Sequence, residues 1–336
     1  MSERISWYRT PVDKQVLKAL TRRSDIRGLV HMIPFTLMPV VTGTAALYLY
    51  LHVSAWAFAA MLFVHCSLFQ FFGRVGAGHE LCHHTVFRNK WLNVLFYNVF
   101  AFLAWENAVE LRARHMSHHQ FTAYNGKDAE LSLPFFITPA NWLFLVTIDL
   151  AKIAAKLGMY IDLSLGVFSP GIERLFPAGD ARARARLVWN ARLLVLGHLA
   201  LAVWFFASGL WPLLLIVTFA PFMAQWLNML LAFPQHVGMT PDVDDFRLSS
   251  RTYDLGPVLA FLYCNMQYHL EHHMYAGVPF YNLPALRKVI AFDLPPSSGG
   301  LIRTWGEIRH AWRMQRKDSN YTLPIALPAP DPGKQP

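Results

Sequence analysis

The stretch LVHMIPFTLMPVVTGTAALYLYL, residues 29–51, contains no Asp, Glu, Lys or Arg. A helix needs about 20 apolar residues to cross a bilayer, so this stretch is long enough to do so. Three further stretches, near 55–73, 187–207 and 210–232, are also long and apolar. Very short links, HVSAW and ASGLW, join the four stretches in pairs. The sequence therefore predicts an all-α integral membrane protein with four transmembrane helices in two hairpins.

The amino-acid composition agrees with a membrane protein. Of 336 residues, 54% are hydrophobic and 15% are charged, whereas a soluble domain carries about 25% charged residues. The net charge of +9 is spread over the segments between the apolar stretches, which is typical of membrane-flanking charge rather than of a nucleic-acid-binding surface. The three scattered cysteines, Cys66, Cys82 and Cys264, are too few for a disulfide framework.

The distribution of Lys and Arg predicts the orientation in the membrane. Residues 1–27 hold seven of them, residues 74–186 hold twelve and residues 234–336 hold ten, while the two hairpin tips hold none. Since Lys and Arg accumulate on the cytoplasmic side, both termini and the long central segment are predicted to be cytoplasmic. No short apolar core with a cleavage site follows the first residues, so we expect no removable signal peptide.

This orientation divides the chain into three segments. Residues 1–27 form a cytoplasmic N-terminal segment, residues 28–290 form the membrane domain with a cytoplasmic helical cap, and residues 291–336 form a cytoplasmic C-terminal segment. The last segment ends in LPIALPAPDPGKQP, which is rich in proline and is predicted to be a disordered tail.

Three short motifs are rich in histidine: HELCHH at 79–84, HMSHH at 115–119 and HLEHH at 269–273. Offsets of three and four residues place side chains on one face of a helix, with Cβ atoms about 5–6 Å apart. Neutral imidazoles gain little from such crowding and protonated ones would repel one another, so a shared metal is the simplest explanation. The candidate ligands are His79, His83, His115, His118, His119, His269, His272 and His273.

The number of imidazoles limits the kind of metal site. Eight exceed the four ligands of a closed zinc site, and they suit two metals of higher coordination number, or two sites with positions open for oxygen or substrate. Soluble di-iron bundles use Glu-x-x-His pairs with bridging carboxylates. Glu80 and Glu271 lie inside the motifs, but no helix-paired pattern of that kind is present. The spacing alone thus indicates two metals held mostly by histidine, without identifying iron.

The order of the motifs, HELCH, HMSHH and HLEHH, resembles that of the membrane fatty acid desaturase and hydroxylase family. In that family the first two boxes follow the first membrane hairpin and the third follows the second. The segment NMQYHLEHHMYAGVPFYNLPAL around the third box is especially similar to bacterial members. The resemblance covers residues 75–290. It implies a bacterial inner-membrane protein with a non-haem centre of two Fe2+ ions, which activates O2 and removes hydrogen from an unactivated C–H bond.

The resemblance also implies roles for three further residues. His236, in PQH after the fourth apolar stretch, would be a ninth metal ligand. Asn265, four residues before His269 and on the same helical face, would hold a water beside one iron, or would instead be a helix-capping amide. Asp128, in GKDAEL, would orient an imidazole N–H from outside the metal shell, with a surface turn as the alternative.

The first box ends in a histidine doublet of which only one member is expected to bind iron. His83 lies four residues after His79 and would share its helical face, whereas His84 is turned about 100° further around the helix. The family pattern HxxxH also ends on His83. We therefore predict His83 as the ligand, and the alternative is the longer first box of a few relatives, which would place the ligand at His84.

The resemblance implies O2-dependent desaturation of an acyl chain, as a fatty acid or linked to a lipid, with hydroxylation as a second outcome of the same chemistry. The alternative substrates are a carotenoid or a small molecule such as a dihydrorhizobitoxine-like amino-acid metabolite. A metal transporter is a remote alternative, because its ligands should lie within the spans near the midplane. The implied partners are membrane lipids and a separate electron donor, either ferredoxin or a cytochrome b5-like protein with its reductase, because no haem-binding HPGG motif is present.

Overall fold

A computed structural model describes residues 5–329, and every regular element in this range is helical. Residues 1–4 and 330–336, the latter belonging to the predicted disordered tail, lie outside the described range. The α-helices, in chain order, are α1 Lys14–Leu20, α2 Asp25–His52, α3 Ala55–Phe69, α4 Ala77–Cys82, α5 Lys90–Leu103, α6 Ala108–Phe121, α7 Pro139–Val146, α8 Leu150–Ser164, α9 Pro170–Leu175, α10 Ala181–Ala207, α11 Trp226–Ala232, α12 Phe246–Ser249, α13 Pro257–Leu262, α14 His269–Met274, α15 Leu283–Ile290 and α16 Leu301–Gln315.

Three helical segments of the described range are long and apolar enough to cross a membrane: Lys14–His52, Ala55–Cys82 and Ala181–Ala207. They contain α2, α3 and α10. The side chains of Ser24 and Ser54 cap α2 and α3 by accepting hydrogen bonds from backbone N–H groups in the first turn. The two-residue link between α2 and α3 holds these helices against each other as the first predicted hairpin.

The outer faces of the long helices carry exposed apolar side chains. Leu37 and Val40 on α2 are exposed, and so are Leu193 and Val203 on α10. A soluble protein rarely leaves so much apolar surface open to water. These faces therefore indicate that the long helices are associated with a membrane.

α5 and α6 are also apolar enough to form a span together, but they are bent by 103° relative to each other. Trp105, at the bend, has a positive φ of 53°. Asn107 then starts α6 by accepting hydrogen bonds from the backbone N–H groups of Val109 and Glu110. The bend turns α6, which carries the second histidine motif, back against α4 and α5.

The fourth predicted span, 210–232, is not a continuous helix. It contains a π-helical turn at Leu214–Thr218, a 3-10 turn at Ala220–Phe222 and then α11. Pro221 has no backbone N–H for a helical hydrogen bond, and Ala224 has a positive φ of 49°, so the helix cannot run through this region. The second predicted hairpin thus consists of one regular helix, α10, and a broken segment.

Side chains from other segments bind the carbonyl groups that this break leaves free. Gln70 Nε2 donates to the carbonyl oxygen of Met223 over 2.7 Å, and Trp105 Nε1 donates to that of Thr218 over 2.6 Å. Buried backbone groups that lie outside a regular helix need such partners. The irregular segment is therefore held in a defined conformation by the rest of the fold.

A single cluster of buried apolar residues connects the long helices with those that carry histidine. It extends from Leu20, before α2, to Leu294, after α15. Within it, the rings of Phe72 and Phe100 lie 4.5 Å apart between their centroids. The predicted boundaries after residues 27 and 290 therefore fall within one packed cluster. The division into three segments stays a prediction, because it concerns the side of the membrane on which each segment lies.

Candidate metal centre

The predicted ligands come from four places in the fold. α4 and the two residues after it carry the first motif, α6 carries the second and α14 the third, while His236 lies directly after the 3-10 turn Phe233–Gln235. α4 packs against α6, and His79 on α4 lies beside His272 on α14, with 3.0 Å between their Nε2 atoms. The fold therefore gathers all nine predicted histidines in one region.

The nine histidines form two groups, and within each group the candidate ligand atoms lie within 4.8 Å of one another. The first group consists of His79, His83, His115, His119 and His272, and the second of His118, His236, His269 and His273. In the first group, the Nε2 atoms of His83 and His115 are 2.8 Å apart. In the second, the Nε2 atoms of His236 and His269 are 2.9 Å apart. The structure thus offers two adjacent sets of imidazoles.

The second and third motifs each contribute to both groups. On α6, the first and last histidines of HMSHH enter the first group and His118 enters the second. On α14, the first and last histidines of HLEHH enter the second group and His272 enters the first. Residue i+3 lies about 100° from residue i+4 around a helix. The histidines of each helix therefore do lie on one side, as the sequence predicts, but those at one edge of that side belong to the first group and those at the other edge belong to the second.

Hydrogen bonds outside the groups decide which ring nitrogen carries the proton. His118 Nδ1 lies 2.7 Å from Asp128 Oδ2, and His236 Nδ1 lies 2.8 Å from the carbonyl oxygen of Ser249. A carboxylate and a carbonyl only accept hydrogen bonds, so each Nδ1 is the donor. In the neutral form of these two histidines, which is the form that binds a metal, Nε2 is therefore unprotonated and presents a lone pair.

Without a cation, the nitrogen lone pairs of the second group cannot all have a partner. His273 Nδ1 lies 3.1 Å from the hydroxyl of Thr122, whose own proton goes to a backbone carbonyl, so His273 Nε2 is also a lone pair. Both His273 Nε2 and His236 Nε2 lie 2.9 Å from His269 Nε2, which has one proton at most and can satisfy only one of them. A metal ion removes the conflict, since neighbouring nitrogen ligands at about 2.1 Å from a metal lie about 3 Å apart. The donor set thus fits a metal that accepts imidazole, such as iron, copper, zinc or nickel.

Asp128 contacts one of the histidines and also stabilises the backbone turn in which it lies. Its carboxylate accepts hydrogen bonds from the backbone N–H groups of Ala123, Glu130 and Leu131 as well as from His118. Burial alone would raise the pKa of Asp128, but attraction to His118 and these hydrogen bonds lower it below the ordinary value. Asp128 is therefore held as a carboxylate in the orientation that keeps His118 Nδ1 protonated.

Other groups that the sequence did not reveal also orient the histidines. Glu130 Oε2 lies 3.1 Å from His115 Nδ1, and burial raises the pKa of Glu130. The segment GKDAEL already pointed to this region, because Glu130 follows Asp128 by two residues. The hydroxyl of Thr122 and the backbone carbonyl of Ser249 gave no signal, since neither forms part of a recognisable side-chain pattern.

The two carboxylates inside the motifs differ in their surroundings: Glu271 has hydrogen-bond partners, whereas the oxygens of Glu80 have none among the described residues. Glu271 is buried, accepts a hydrogen bond from Thr252 and pairs with Arg287 over 3.0 Å. Glu80 is also buried, and its Oε1 lies 3.3 Å from Nδ1 of His272, on the side of the ring opposite Nε2. Among the described residues, neither carboxylate belongs to the two groups, in agreement with a centre composed of histidine.

Asn265 does not share a helix with His269, and the predicted common face is wrong. α14 begins at His269, whereas Asn265 lies in the preceding turn. Cys264 and Asn265 have positive φ angles of 50° and 56°, which a right-handed helix does not accommodate. The Asn265 amide donates to the carbonyl oxygen of Phe280 over 3.2 Å, and its role beside a metal stays a prediction.

The first histidine box ends where its helix ends. α4 stops at Cys82, His83 follows with ordinary helical angles, and His84 has a left-handed φ of 58°. The helix predicted to continue through His84 therefore stops short of it. His83 belongs to the first group, whereas the ring of His84 lies 6.0 Å from that of Tyr97, between centroids. The structure brings His83 to the other histidines and turns its neighbour away.

Apolar helices that support two adjacent groups of mostly buried imidazoles, each able to hold a metal ion, are typical of membrane-associated proteins with a non-haem metal site. Comparison with protein families identifies the class more closely. The model of the fatty acid desaturase family matches residues 54–305, which is most of the chain. The chain belongs to the fatty acid desaturase family.

Individual relatives of known name are only distantly similar to this chain. Sphingolipid delta(4)-desaturase/C4-monooxygenase DES2 of Bos taurus is 25% identical over 221 residues, and the match covers 63% of this chain and 59% of the relative. The proteins of the same name from Homo sapiens and Mus musculus are 25% and 23% identical over similar lengths. The chain thus matches less than two thirds of the length of these relatives.

Proposed function

We propose that this chain is an oxidoreductase that desaturates an acyl chain, free or linked to a lipid, in an O2-dependent reaction. The observation that carries the proposal is the convergence of nine imidazoles into two adjacent groups, with several Nδ1 atoms held from outside. Membership of the desaturase family and relatives that are named desaturases support it. When bound, two Fe2+ ions would supply the activation of O2 and the removal of hydrogen from an unactivated C–H bond.

In this proposal the nine histidines are the metal ligands and the residues behind them keep the rings in place. Asp128, Glu130 and Ser249 hold protons on the Nδ1 atoms of three histidines. Such outer partners fix the ring orientation and raise the basicity of the ligand nitrogen. Because the site is buried, it also limits access of water to the reacting carbon.

A mainly apolar cavity of about 320 Å³, called the apolar cavity below, reaches the histidines, and the polar residues of its wall besides histidine are Arg74, Glu130, Ser132 and Gln235. Its apolar lining includes Leu131, Phe135, Met229 and Phe233. Histidines of both groups line it as well, namely His79, His118, His236 and His269. A hydrocarbon segment in this cavity would lie beside both groups, so the cavity is the proposed position of the reacting part of the acyl chain.

Hydroxylation is the second candidate outcome, because the relatives are named desaturase/C4-monooxygenase. The two reactions begin with the same hydrogen removal. They differ in whether the substrate then loses a second hydrogen or gains an oxygen atom. That difference depends on how closely the cavity wall fixes two neighbouring carbons, and small displacements are sufficient to change it.

Expression with a matching ferredoxin or cytochrome b5-like donor and its reductase tests this proposal. Mass spectrometry of lipids and soluble metabolites should show acyl chains that have lost two hydrogens, or chains with one added oxygen if hydroxylation prevails. Omission of the donor should remove the product, since we propose that the electrons come from a separate protein. An oxidised amino-acid metabolite or carotenoid, with unchanged acyl chains, would contradict the acyl substrate.

We also propose that the chain crosses the membrane an even number of times, with the broken segment 210–232 as the fourth crossing. The charge distribution supports this topology, because Lys and Arg are absent from the two hairpin tips. Reporter tags at residues 1 and 336 should both be cytoplasmic, and tags near residues 53 and 208 should lie on the other side. Termini on opposite sides of the membrane would contradict this topology.

A further inference from the structure

A second cavity adjoins the apolar one and has a different chemical character. It has a volume of about 450 Å³ and is bordered by the end of α3, by α8 and by the broken segment. Its polar lining consists of Gln70, Arg74, Glu106, Lys152, Lys156, Gln225 and Asn228. Arg74 also lines the apolar cavity, so the two cavities lie on either side of one residue.

The second cavity has more cations than carboxylates in its wall. Arg74 and Lys156 share one carboxylate, since both lie within 3.2 Å of Glu106 Oε1. Arg74 also lies 3.5 Å from Glu110, but Arg114 pairs with that carboxylate as well. The anions near the cavity are thus already engaged with two cations each.

Lys152 is the cation of this cavity with the fewest anionic partners. Its ammonium donates to the neutral amide oxygen of Gln225, and in the described part of the chain it forms no ion pair. Lys152 is exposed to solvent, while the protein atoms packed around its ammonium group, followed by repulsion from Lys156, lower its pKa to about 8. An anion bound in the cavity would give Lys152 an ion-pair partner.

We propose that this cavity binds the acidic headgroup of a single-chain lipid, a phosphate or a carboxylate, whose hydrocarbon chain enters the apolar cavity past Arg74. The identification of that lipid as the substrate rests on the proposed function. Lys152 and Lys156 would bind the headgroup as point charges. Since the headgroup would then be fixed, the distance from it along the chain would select the carbon that reaches the histidines. Lys152 is thus a positioning residue.

Equilibrium binding to the purified full-length chain in a neutral detergent tests the proposal. The probes are hexadecyl phosphate and hexadecanoate, with hexadecanol as a neutral probe of equal chain length. At least one anionic probe should bind about tenfold more tightly than the alcohol, which is the effect of one charge-assisted hydrogen bond. The tighter of the two anions identifies the headgroup. Equal affinity for all three probes would overturn the proposal.

Variants locate the site that recognises the anion. Lys152→Met should reduce the preference for the anionic probe to within about threefold of the alcohol, because a charge-assisted bond is lost. Lys152→Arg should retain the preference, and so should Lys90→Met, which removes an exposed lysine at the start of α5. A full preference in Lys152→Met would contradict the site. Because binding requires neither O2 nor an electron donor, the result is independent of whether the chain oxidises the bound probe.

Discussion

His272→Ala is expected to lower turnover by more than about 100-fold and to release bound iron. The side chain is fully buried, and its Nε2 lies 3.0 Å from that of His79 and 3.1 Å from that of His119. Loss of a residue that merely supports a ligand costs about 10–100-fold, so loss of the ligand itself should exceed that range. Turnover and iron content of the purified variant, measured beside wild type, check the prediction. His118→Ala is the matching test of the second group.

The control for these variants is His310→Ala. His310 is exposed and lies 3.2 Å from the hydroxyl of Tyr321, outside both groups, so the variant should keep its iron and its turnover. Replacement of a buried imidazole also leaves a cavity, and size-exclusion profiles and thermal unfolding show whether each variant is still folded. A folded His272→Ala protein with wild-type turnover would remove His272 from the proposed ligands.

His83→Ala is expected to lose iron and turnover, whereas His84→Ala should keep both irons and much of its turnover. His83 Nε2 lies 2.8 Å from His115 Nε2, within the first group. His84 follows it in a left-handed conformation and contacts the ring of Tyr97. The two substitutions remove the same side chain from adjacent positions, so each serves as the control for the other. Iron and turnover are measured as for His272→Ala.

Two other results would contradict the assignment of His83 as the ligand and of His84 as a bystander. If iron were lost only in His84→Ala, the ligand would be His84 and the turn after α4 would have a different conformation in the metal-loaded protein. Loss of iron in both variants would mean that the packing of His84 against Tyr97 is needed to hold the turn.

The long helices could be predicted because uninterrupted apolar runs have few other ways to satisfy their backbone in lipid. Residues 29–51 and 187–207 accordingly lie within α2 and α10. The stretch 210–232 is similarly apolar, yet Pro221 breaks its helix and side chains such as Gln70 bind its free carbonyls. Those partners lie about 150 residues away along the chain, and local patterns contain no information on such distant contacts.

The histidines of the candidate site could be found from spacing, but not their division into two groups. Offsets of three and four residues bring imidazoles to one side of α6 and of α14. Which of them face the same neighbour depends on how α4, α6 and α14 pack together, which is a tertiary property. Asn265 illustrates the limit of the helical pattern, because the left-handed turn before α14 removes it from the face of His269.

Metal analysis of the chain purified under anaerobic conditions tests the central claim most directly. The two groups of imidazoles predict two irons per chain, with His118→Ala and His272→Ala measured in parallel as depleted references. One zinc per chain and no iron would contradict the proposed oxidation chemistry, because zinc has no redox activity.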